Sequence, residues 1–558
     1  MAASRSRFST AAAPLEKPFP LWILYPLFFV AVYLAHFRLL RLPWFWDEAG
    51  YYIPAALDCF RTGSLIPFST LTNAHPPLPS LLLAGWWHLA GYVISGTRTF
   101  IVMVAAAALL GVFRLARELA GTEVAAVVAL LTALYPVWFA QSTLAQADIF
   151  AAAFTLWALS FAFERYRLKH RATRVSTIVL CSLLFALAAL AKETAIITPV
   201  ALAIWEGVLL ATERRQRNPA ASLVWMAALL FPVLPLAGWY AYHFHQTGFI
   251  FGNPEFLRYN ATENLSPLRI LLSFWHRFNH LTIHMNLYVP VVATLALLLM
   301  PKLAHETVQA EHDAAVLKRP ALLALAVVVL SNALAFSVLG GALLTRYLLP
   351  LYPLLLLVMV AVWRQRMRVW WSLALLTAAA FLAALFINPP YSFAPEDNLT
   401  YASMVTLHQQ AAAVIAQRFP QATVLTAWPA TTELEHTDLG YVLHPLKTFP
   451  VDNFSYAQIQ KAAADPGGFD TALVFSTKWV PAHHFSWSRA THSTDARYFD
   501  FHDDLHPAAV ANLLHGQVVW QASRDGEWAA VLRFPRSDEA RLAARSAVRA
   551  AAALPKPL

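Results

Sequence analysis

Two adjacent carboxylates, Asp47 and Glu48, stand among aromatic residues in the run from Trp44 to Tyr51. A carboxylate next to apolar surface loses hydration and becomes a better base, so either group could take the proton of a substrate hydroxyl group. The alternative is that Asp47 caps a helix from Glu48 to Phe60, while the tryptophan rings anchor the segment at a membrane interface. The run by itself leaves both interpretations open.

Two further residues could hold or move a proton. His75 precedes two prolines, which keep its backbone extended and fix the direction of its side chain, although the segment could equally be a rigid connector. Asp148 lies at the start of an apolar run, where the helix dipole stabilises an acid. A carboxylate at that depth in a membrane protein is nevertheless a candidate functional group, because an uncompensated charge is costly there.

Cations occur at two comparable places. Lys192 and Glu193 interrupt two apolar runs with almost no polar loop around them, and Arg346 with Tyr347 precedes another apolar run. Such cations could neutralise a phosphate as it binds or leaves. A lone arginine at a membrane surface is also often a snorkelling residue, so the phosphate role is a hypothesis at this point.

The composition shows which elements must position these groups. Of the 558 residues, 58% are hydrophobic and 13% charged, and the mean hydropathy is +0.50, which places the chain in the membrane class. A spanning helix needs about 20 apolar residues. We predict eleven such windows, at 19–40, 98–117, 122–140, 146–164, 175–192, 194–212, 222–243, 284–301, 320–339, 347–363 and 369–387.

Basic residues gather at alternate ends of these windows, as expected for loops on the cytoplasmic side. With Arg5, Arg7 and Lys17 inside, the basic stretches in 114–117, 165–171, 214–217, 302–319 and 364–368 are inside as well. Topology thereby explains the formal charge of +9, and no nucleic-acid partner is expected. The apolar run from Leu21 lacks a small-residue cleavage site and is expected to remain as an anchor.

The same topology places 41–97, 244–283 and everything after Asn388 outside. Residues 1–388 would form the transmembrane domain. Short β-like runs, a helical stretch and turn residues predict a small extracytoplasmic α/β domain over 389–536, and the Ala- and Arg-rich 537–558 is expected to be frayed or disordered. Cys59 outside and Cys181 within a span predict neither a disulfide nor a metal site.

The candidate groups come from five separate segments, yet the topology brings them all to the outer interface. Acids together with cations at one membrane surface suit transfer from a lipid phosphate. The carboxylate would take the proton of the acceptor, and the cations would neutralise the departing phosphate. A membrane transporter or lipid flippase is the alternative, but such proteins tend to carry repeated halves and charges near the midplane, whereas these charges gather at one face.

The motifs resemble a known family. Asp47-Glu48 with a tyrosine close behind, the paired prolines, Asp148, Ala-Lys192-Glu193 and Arg346-Tyr347-Leu-Leu-Pro350 are similar to membrane glycosyltransferases of the C superfamily, also called the GT-C type. The most similar branch is that of the protein O-mannosyltransferases and the bacterial lipid A aminoarabinose transferase. The aminoarabinose enzymes have an acidic-basic pair where this chain has Ala74-His75, so their sugar and acceptor are not carried over.

The resemblance implies an α-helical polytopic fold and an inverting transfer from a polyprenyl-phosphate sugar to a lipid, glycan or protein acceptor. It places the chain in a bacterial cytoplasmic membrane with the C-terminal domain outside. No cofactor is expected to be required, with a divalent cation left open, and the sequence shows no convincing cluster of metal ligands. By matching position, the expected catalytic residues are Asp47, Asp148 and Glu48, and the expected donor-binding residues are Lys192, Arg346, Tyr347, His75 and Tyr51.

Overall fold

The structure is a computed structural model that describes residues 20–534 apart from 71, 168–173, 214–217, 253, 255–264, 304–316, 340–341, 466, 482–493 and 500. The tail at 537–558, which we expected to be frayed, lies outside the described residues. So do Arg5, Arg7, Lys17 and the basic stretch 214–217.

Helices dominate the chain up to residue 386, and at least one of them overlaps each of the eleven predicted windows. They are α1 (Leu24–His36), α2 (Ile53–Thr62), α3 (Leu78–Ala90), α4 (Ile94–Ala120), α5 (Thr122–Leu134), α6 (Pro136–Gln141), α7 (Ala147–Arg167), α8 (Val175–Ala191), α9 (Ile197–Thr212), α10 (Pro219–Leu230), α11 (Val233–Thr247), α12 (Pro267–Thr282), α13 (Tyr288–Leu298), α14 (Arg319–Val338), α15 (Tyr352–Arg366) and α16 (Trp371–Phe386).

The structure does not confirm the expected number of membrane spans. Within the described ranges, five helical segments are long and apolar enough to cross a membrane: Ile94–Ala120, Ala147–Arg165, Glu193–Thr212, Pro219–Thr247 and Arg319–Val338. Several shorter apolar helices of 10–17 residues accompany them. The multi-pass architecture therefore holds, but eleven spans are not established, because these shorter helices fall below the length of about 20 residues that a full crossing needs.

Prolines and extended residues divide the apolar runs. Tyr135 is extended ahead of Pro136, which separates α5 from α6, and Pro232 separates α10 from α11. Lys192 is extended (φ −150°, ψ 123°) between the end of α8 and the turn Glu193–Ile196. This break takes Lys192 out of both helices at the level where the two apolar runs meet.

A five-stranded sheet follows the helices, as the predicted α/β region requires. Its strands are β1 (Thr423–Ala427), β2 (Lys447–Val451), β3 (Thr471–Phe475), β4 (Gln517–Arg524) and β5 (Glu527–Arg533), in the order β2-β1-β3-β5-β4. β1 is parallel to β2 and β3, whereas β5 is antiparallel to β3 and β4. The expected helix appears as α17 (Thr400–Arg418), and α18 (Ala430–Glu435), α19 (Tyr456–Ala462) and α20 (Pro507–Leu513) complete the region.

The sequence did not predict β2. Pro450 lies within it, and a proline argues against a central strand because it cannot donate to the ladder. The proline is compatible with this strand because β2 lies at an edge of the sheet.

The sheet region packs directly against the segment 41–97 that follows α1. The ring of Trp428 lies so close to Gly50 that a Cβ at residue 50 would stand 2.2 Å from its Nε1 atom, a space that only glycine leaves free. The hydroxyl of Tyr441 donates to the carbonyl of Trp44 at 2.8 Å. The C-terminal region therefore helps to hold the loop that carries Asp47.

Candidate active site

One buried guanidinium, that of Arg346, contacts three carboxylates. Its Nη2 donates to Asp47, its Nη1 donates to Glu396 Oε2 at 2.7 Å, and its Nε lies 3.5 Å from Asp148 Oδ2. Nη1 also donates to Gln146 Oε1 at 2.7 Å. Arg346 stands in the turn Thr345–Leu348. Four segments that are distant in the sequence therefore meet at one cation.

The backbone presents Asp47 at the start of a π-helical turn, Glu48–Tyr52. Trp46 before it has a left-handed conformation (φ 46°), which is costly for a bulky residue and often marks a functional site. The Asp47 side chain makes no capping hydrogen bond. It is 24% exposed, against 2% for Asp148 and 4% for Glu396. Of the carboxylates around Arg346, Asp47 is therefore the one that a water-borne acceptor reaches most easily.

Asp148 is held between two cations. It lies in the first turn of α7, and its Oδ1 accepts a hydrogen bond from Lys192 Nζ at 2.6 Å. Nζ also lies 4.0 Å from the centroid of the Tyr347 ring, a distance at which the ring face attracts a cation. Asp148 therefore orients Lys192 and Arg346 toward the same place.

A cavity of about 340 Å³ opens beside these cations. Asp148 and Arg346 both line it, and their buried Oδ2 and Nε atoms face each other at 3.5 Å as an ion pair without a hydrogen bond. The wall combines the charged cluster with apolar and hydroxyl-bearing side chains: Asp148, Ala151, Ala152, Thr155, Lys192, Thr194, Ala195, Thr198, Asn332, Phe336, Arg346, Tyr347 and Pro350. Such a wall suits an anionic head group.

Glu48 points away from this cavity, into the protein. Its carboxylate is 0% exposed and pairs with Arg98, whose Nη2 lies 3.1 Å from Oε2. The backbone N–H groups of Phe45 and Ala145 also donate to it, at 2.9 Å and 2.5 Å. Arg98 itself also donates to the carbonyls of Leu42, Pro43 and Thr143. The geometry thus gives Glu48 a structural position that ties the segments 42–48 and 143–145 together, and it does not support a direct catalytic role.

His75 and Tyr51 line a second cavity, of about 270 Å³, together with Tyr52 and several prolines. His75 Nδ1 lies 3.0 Å from Glu193 Oε2, and the His75 ring stacks on Tyr52 with centroids 6.1 Å apart. Glu193 follows Lys192 in the chain, so this adjacent pair connects the two cavities. His75 and Tyr51 therefore lie near the first cavity, which Lys192 and Arg346 line, but they are not part of its wall.

Sequence reasoning missed Glu396, which contacts Arg346, and Arg98, which neutralises Glu48. The composition change at Asn388 suggested that all later residues belong to a separate domain. The available signal was the adjacent acidic pair Glu396-Asp397, a short distance after the last apolar run. Burial raises the pKa of the Glu396 carboxyl to about 7, while Arg346 acts in the opposite direction.

Within the described part of the chain, no three His, Cys, Asp or Glu side chains are grouped so that they could hold a metal ion.

Comparison with known proteins supports the fold and the resemblance. Residues 74–239 match the family model of the dolichyl-phosphate-mannose-protein mannosyltransferases. ArnT from Cupriavidus metallidurans, solved with bound undecaprenyl phosphate, is 15% identical over 91% of this chain and 97% of that chain, with a TM-score of 0.50. The protein O-mannosyltransferase Pmt1-Pmt2 complex of S. cerevisiae, bound to its sugar donor, is 16% identical over 44% of this chain and 36% of that chain, with a TM-score of 0.33.

No curated protein sequence matches the chain. The match to ArnT nevertheless spans nearly the whole of both chains, so the two share a fold. With the mannosyltransferase family match, this confirms the resemblance to the membrane glycosyltransferases of the C superfamily.

Proposed function

We propose that this chain, which shares its fold with the C-superfamily glycosyltransferase ArnT, is an inverting glycosyltransferase. It moves a sugar from a polyprenyl-phosphate donor to an acceptor on the extracytoplasmic side of the membrane. The observation that carries the proposal is the Arg346 cluster, in which an accessible carboxylate and two cations share one contact network beside a cavity. The undecaprenyl phosphate bound to ArnT supports the class of donor.

The donor phosphate occupies the first cavity, between Lys192 and Arg346. Both cations are already oriented there by Asp148, so little side-chain ordering is needed when the phosphate arrives. Each can make a charge-assisted hydrogen bond to a phosphate oxygen. Because this charge grows as the sugar leaves, the same two groups stabilise the transition state more than the bound donor.

Asp47 acts as the base. The acceptor hydroxyl attacks the anomeric carbon from the side opposite the phosphate and gives its proton to Asp47. The bond between the sugar and the phosphate oxygen breaks, and its electron pair stays on the phosphate, which gains one negative charge. Inversion follows from this single displacement.

The contact between Asp47 and Arg346 adds a control on this base. Arg346 Nη2 donates a hydrogen bond to Asp47 Oδ2, so this oxygen is engaged by the guanidinium and is not available to the acceptor hydroxyl. A phosphate that draws Arg346 toward the cavity releases Asp47. The base therefore becomes competent only when the donor is in place.

The proposed site requires a defined orientation, with the C-terminal domain outside a bacterial cytoplasmic membrane. A reporter that works only after export should be active when it is fused after Asn388, since the basic loops would otherwise lie on the wrong side of the membrane. Activity of a reporter that works only in the cytoplasm would contradict this orientation.

The function itself is tested with purified protein in liposomes, offered a panel of polyprenyl-phosphate sugars and an envelope extract as acceptor. We expect release of polyprenyl phosphate that depends on the acceptor and is lost in Asp47→Asn. Mass spectrometry of envelope lipids and glycans after gene deletion then identifies the missing modification. Movement of the lipid across the bilayer with its sugar bond intact would instead indicate a flippase.

A further inference from the structure

Hydrogen bonds between two pairs of residues join the turns Thr345–Leu348 and Pro395–Asp397 next to the proposed catalytic groups. Thr345 donates to Asp397, and Arg346 donates to Glu396 at 2.7 Å. Asp397 is held from its other side by His284, whose Nε2 lies 3.0 Å from Oδ2. The turn Pro395–Asp397 is therefore anchored through Asp397, which leaves Glu396 fixed on the Nη1 arm of the Arg346 guanidinium.

The cluster carries more acid than base. Within the part of the chain that the structure describes, Asp47, Asp148 and Glu396 form ion pairs with two cations, Arg346 and Lys192. With every one of these groups ionised, the cluster holds one excess negative charge, and a donor phosphate would add another. Like charges in a buried site repel strongly, so one carboxyl has to become neutral when the phosphate enters.

Glu396 is the carboxyl placed to do so. Asp148 has its own cation, Lys192, at 2.6 Å, and Asp47 is the exposed member at 24%. Glu396 is 4% exposed and depends on an arginine that two other acids share. Burial raises its pKa to about 7, which agrees with this placement.

We propose that donor binding is coupled to the uptake of one proton from water by Glu396. The positive charge of Arg346 then no longer balances Glu396 and instead pairs with the donor phosphate. Neutral Glu396 keeps a hydrogen bond in the cluster and still positions the guanidinium, so it is a positioning residue that acts through Arg346. The inference rests on the proposed function and adds to it the protonation step that admits the donor.

The groups that act on Glu396 come from several elements. Arg346 favours its ionised form, while Asp47 and Asp397 oppose it. Gln146 Nε2 donates to its Oε2 at 3.3 Å. The short helix α6, packed against this turn, carries no ionisable side chain, and the first one on α17, Tyr401, is hydrogen-bonded to Thr143.

The sign of the pH dependence follows from linkage. Below about pH 7, Glu396 is already protonated in the free protein and donor affinity is constant. Above that pH, binding must draw a proton from solution, so affinity falls by up to about tenfold per pH unit. A phosphodiester donor keeps a single charge throughout, unlike a phosphate monoester, which titrates near about pH 6.

The experiment uses a short-chain polyprenyl methyl phosphate, a diester that has the lipid and the charge but no sugar or titrating proton. Calorimetry in buffers of different ionisation enthalpy counts the protons bound with it. The parent protein should take up close to one proton at about pH 8 and close to none at about pH 6. Glu396→Gln, which mimics the neutral carboxyl, should bind the probe at both values without uptake.

Asp397→Asn is the matched control, because Asp397 is equally buried in the same turn but contacts Thr345 and His284. This variant should retain the proton uptake. Where Glu396→Gln lowers the folded yield, Glu396→Asp serves in its place and should keep the uptake with weaker binding. Probe binding to the parent protein without uptake, or uptake that persists in Glu396→Gln, overturns this inference and leaves the proposed function standing. Failure of the parent protein to bind the probe at either pH overturns both.

Discussion

Two buried arginines, Arg98 and Arg346, pair with the adjacent residues Glu48 and Asp47 and differ in how completely their partners satisfy them. Arg98 pairs with one carboxylate, Glu48, and its guanidinium also donates hydrogen bonds to backbone carbonyls. Arg346 meets three carboxylates, and its Nε forms an ion pair with Asp148 at 3.5 Å without a hydrogen bond. The first network is closed and electrically balanced, whereas the second has excess acid and borders a cavity.

The comparison shows how similar residue types serve different ends. A buried charge whose partners are complete contributes a fixed geometry and has nothing left for a ligand. A cluster with unmatched charge and unused hydrogen-bonding capacity is held in place by the surrounding fold and gains when a ligand of the right charge arrives. On this ground the Arg98 network is structural and the Arg346 network is the candidate site.

The largest expected effect concerns Asp47. Asp47→Asn keeps the shape of the side chain but cannot accept a proton, so turnover should fall by about 10²–10⁴-fold. Thermal stability in detergent should stay close to that of the parent, because the side chain caps no helix. Turnover and stability are measured on the same purified variant. A turnover equal to the parent's would move the search for the base to Asp148.

Glu48 should give the opposite result. Glu48→Ala leaves Arg98 buried without its counter-ion, and breaking a buried pair in this way costs about 3–5 kcal/mol. The loss should appear in unfolding by denaturant or heat, while the protein that remains folded retains most of its turnover. If the variant were as stable as the parent but inactive, Glu48 would have a chemical role and the contrast between the two arginine networks would fail.

The phosphate cations come next. Lys192→Ala and Arg346→Ala should each lower kcat/KM for a polyprenyl-phosphate sugar by about 10- to 100-fold, since a hydrogen bond to a charged group contributes about 1.5–3 kcal/mol. The kinetics are compared with those of Lys192→Arg, which keeps the charge and should recover part of the loss. Transfer at the parent rate in both alanine variants would show that neither residue meets the donor phosphate.

The smallest effect is expected at the surface. Arg61 and Asp438 form an ion pair between α2 and the C-terminal region at 2.8 Å, with side chains 53% and 36% exposed. Exposed pairs contribute about 0–1 kcal/mol, so Arg61→Ala should change stability little and turnover not at all. A large loss of turnover would mean that this surface contact controls the position of the Asp47 loop.

Much of the site could be predicted, and the exceptions have physical causes. Apolar windows and basic loops placed Asp47, Asp148, Lys192 and Arg346 at one membrane surface, and the structure joins all four in one contact network. Their chemical roles remain predictions. Glu396 was missed because the change in composition at Asn388 reads as a domain boundary, although the next few residues fold back onto Arg346.

The sequence by itself determined the membrane class and the resemblance that the charged motifs carry, and it predicts one membrane surface for them, because hydropathy and charge asymmetry accumulate residue by residue along the chain. Only the tertiary structure decided which acid serves which purpose. Asp47 and Glu48 are neighbours, yet the π-helical turn sends one to Arg346 and the other to Arg98. The partner of Asp47 lies 299 residues away in the chain, and no local pattern encodes a contact at that separation.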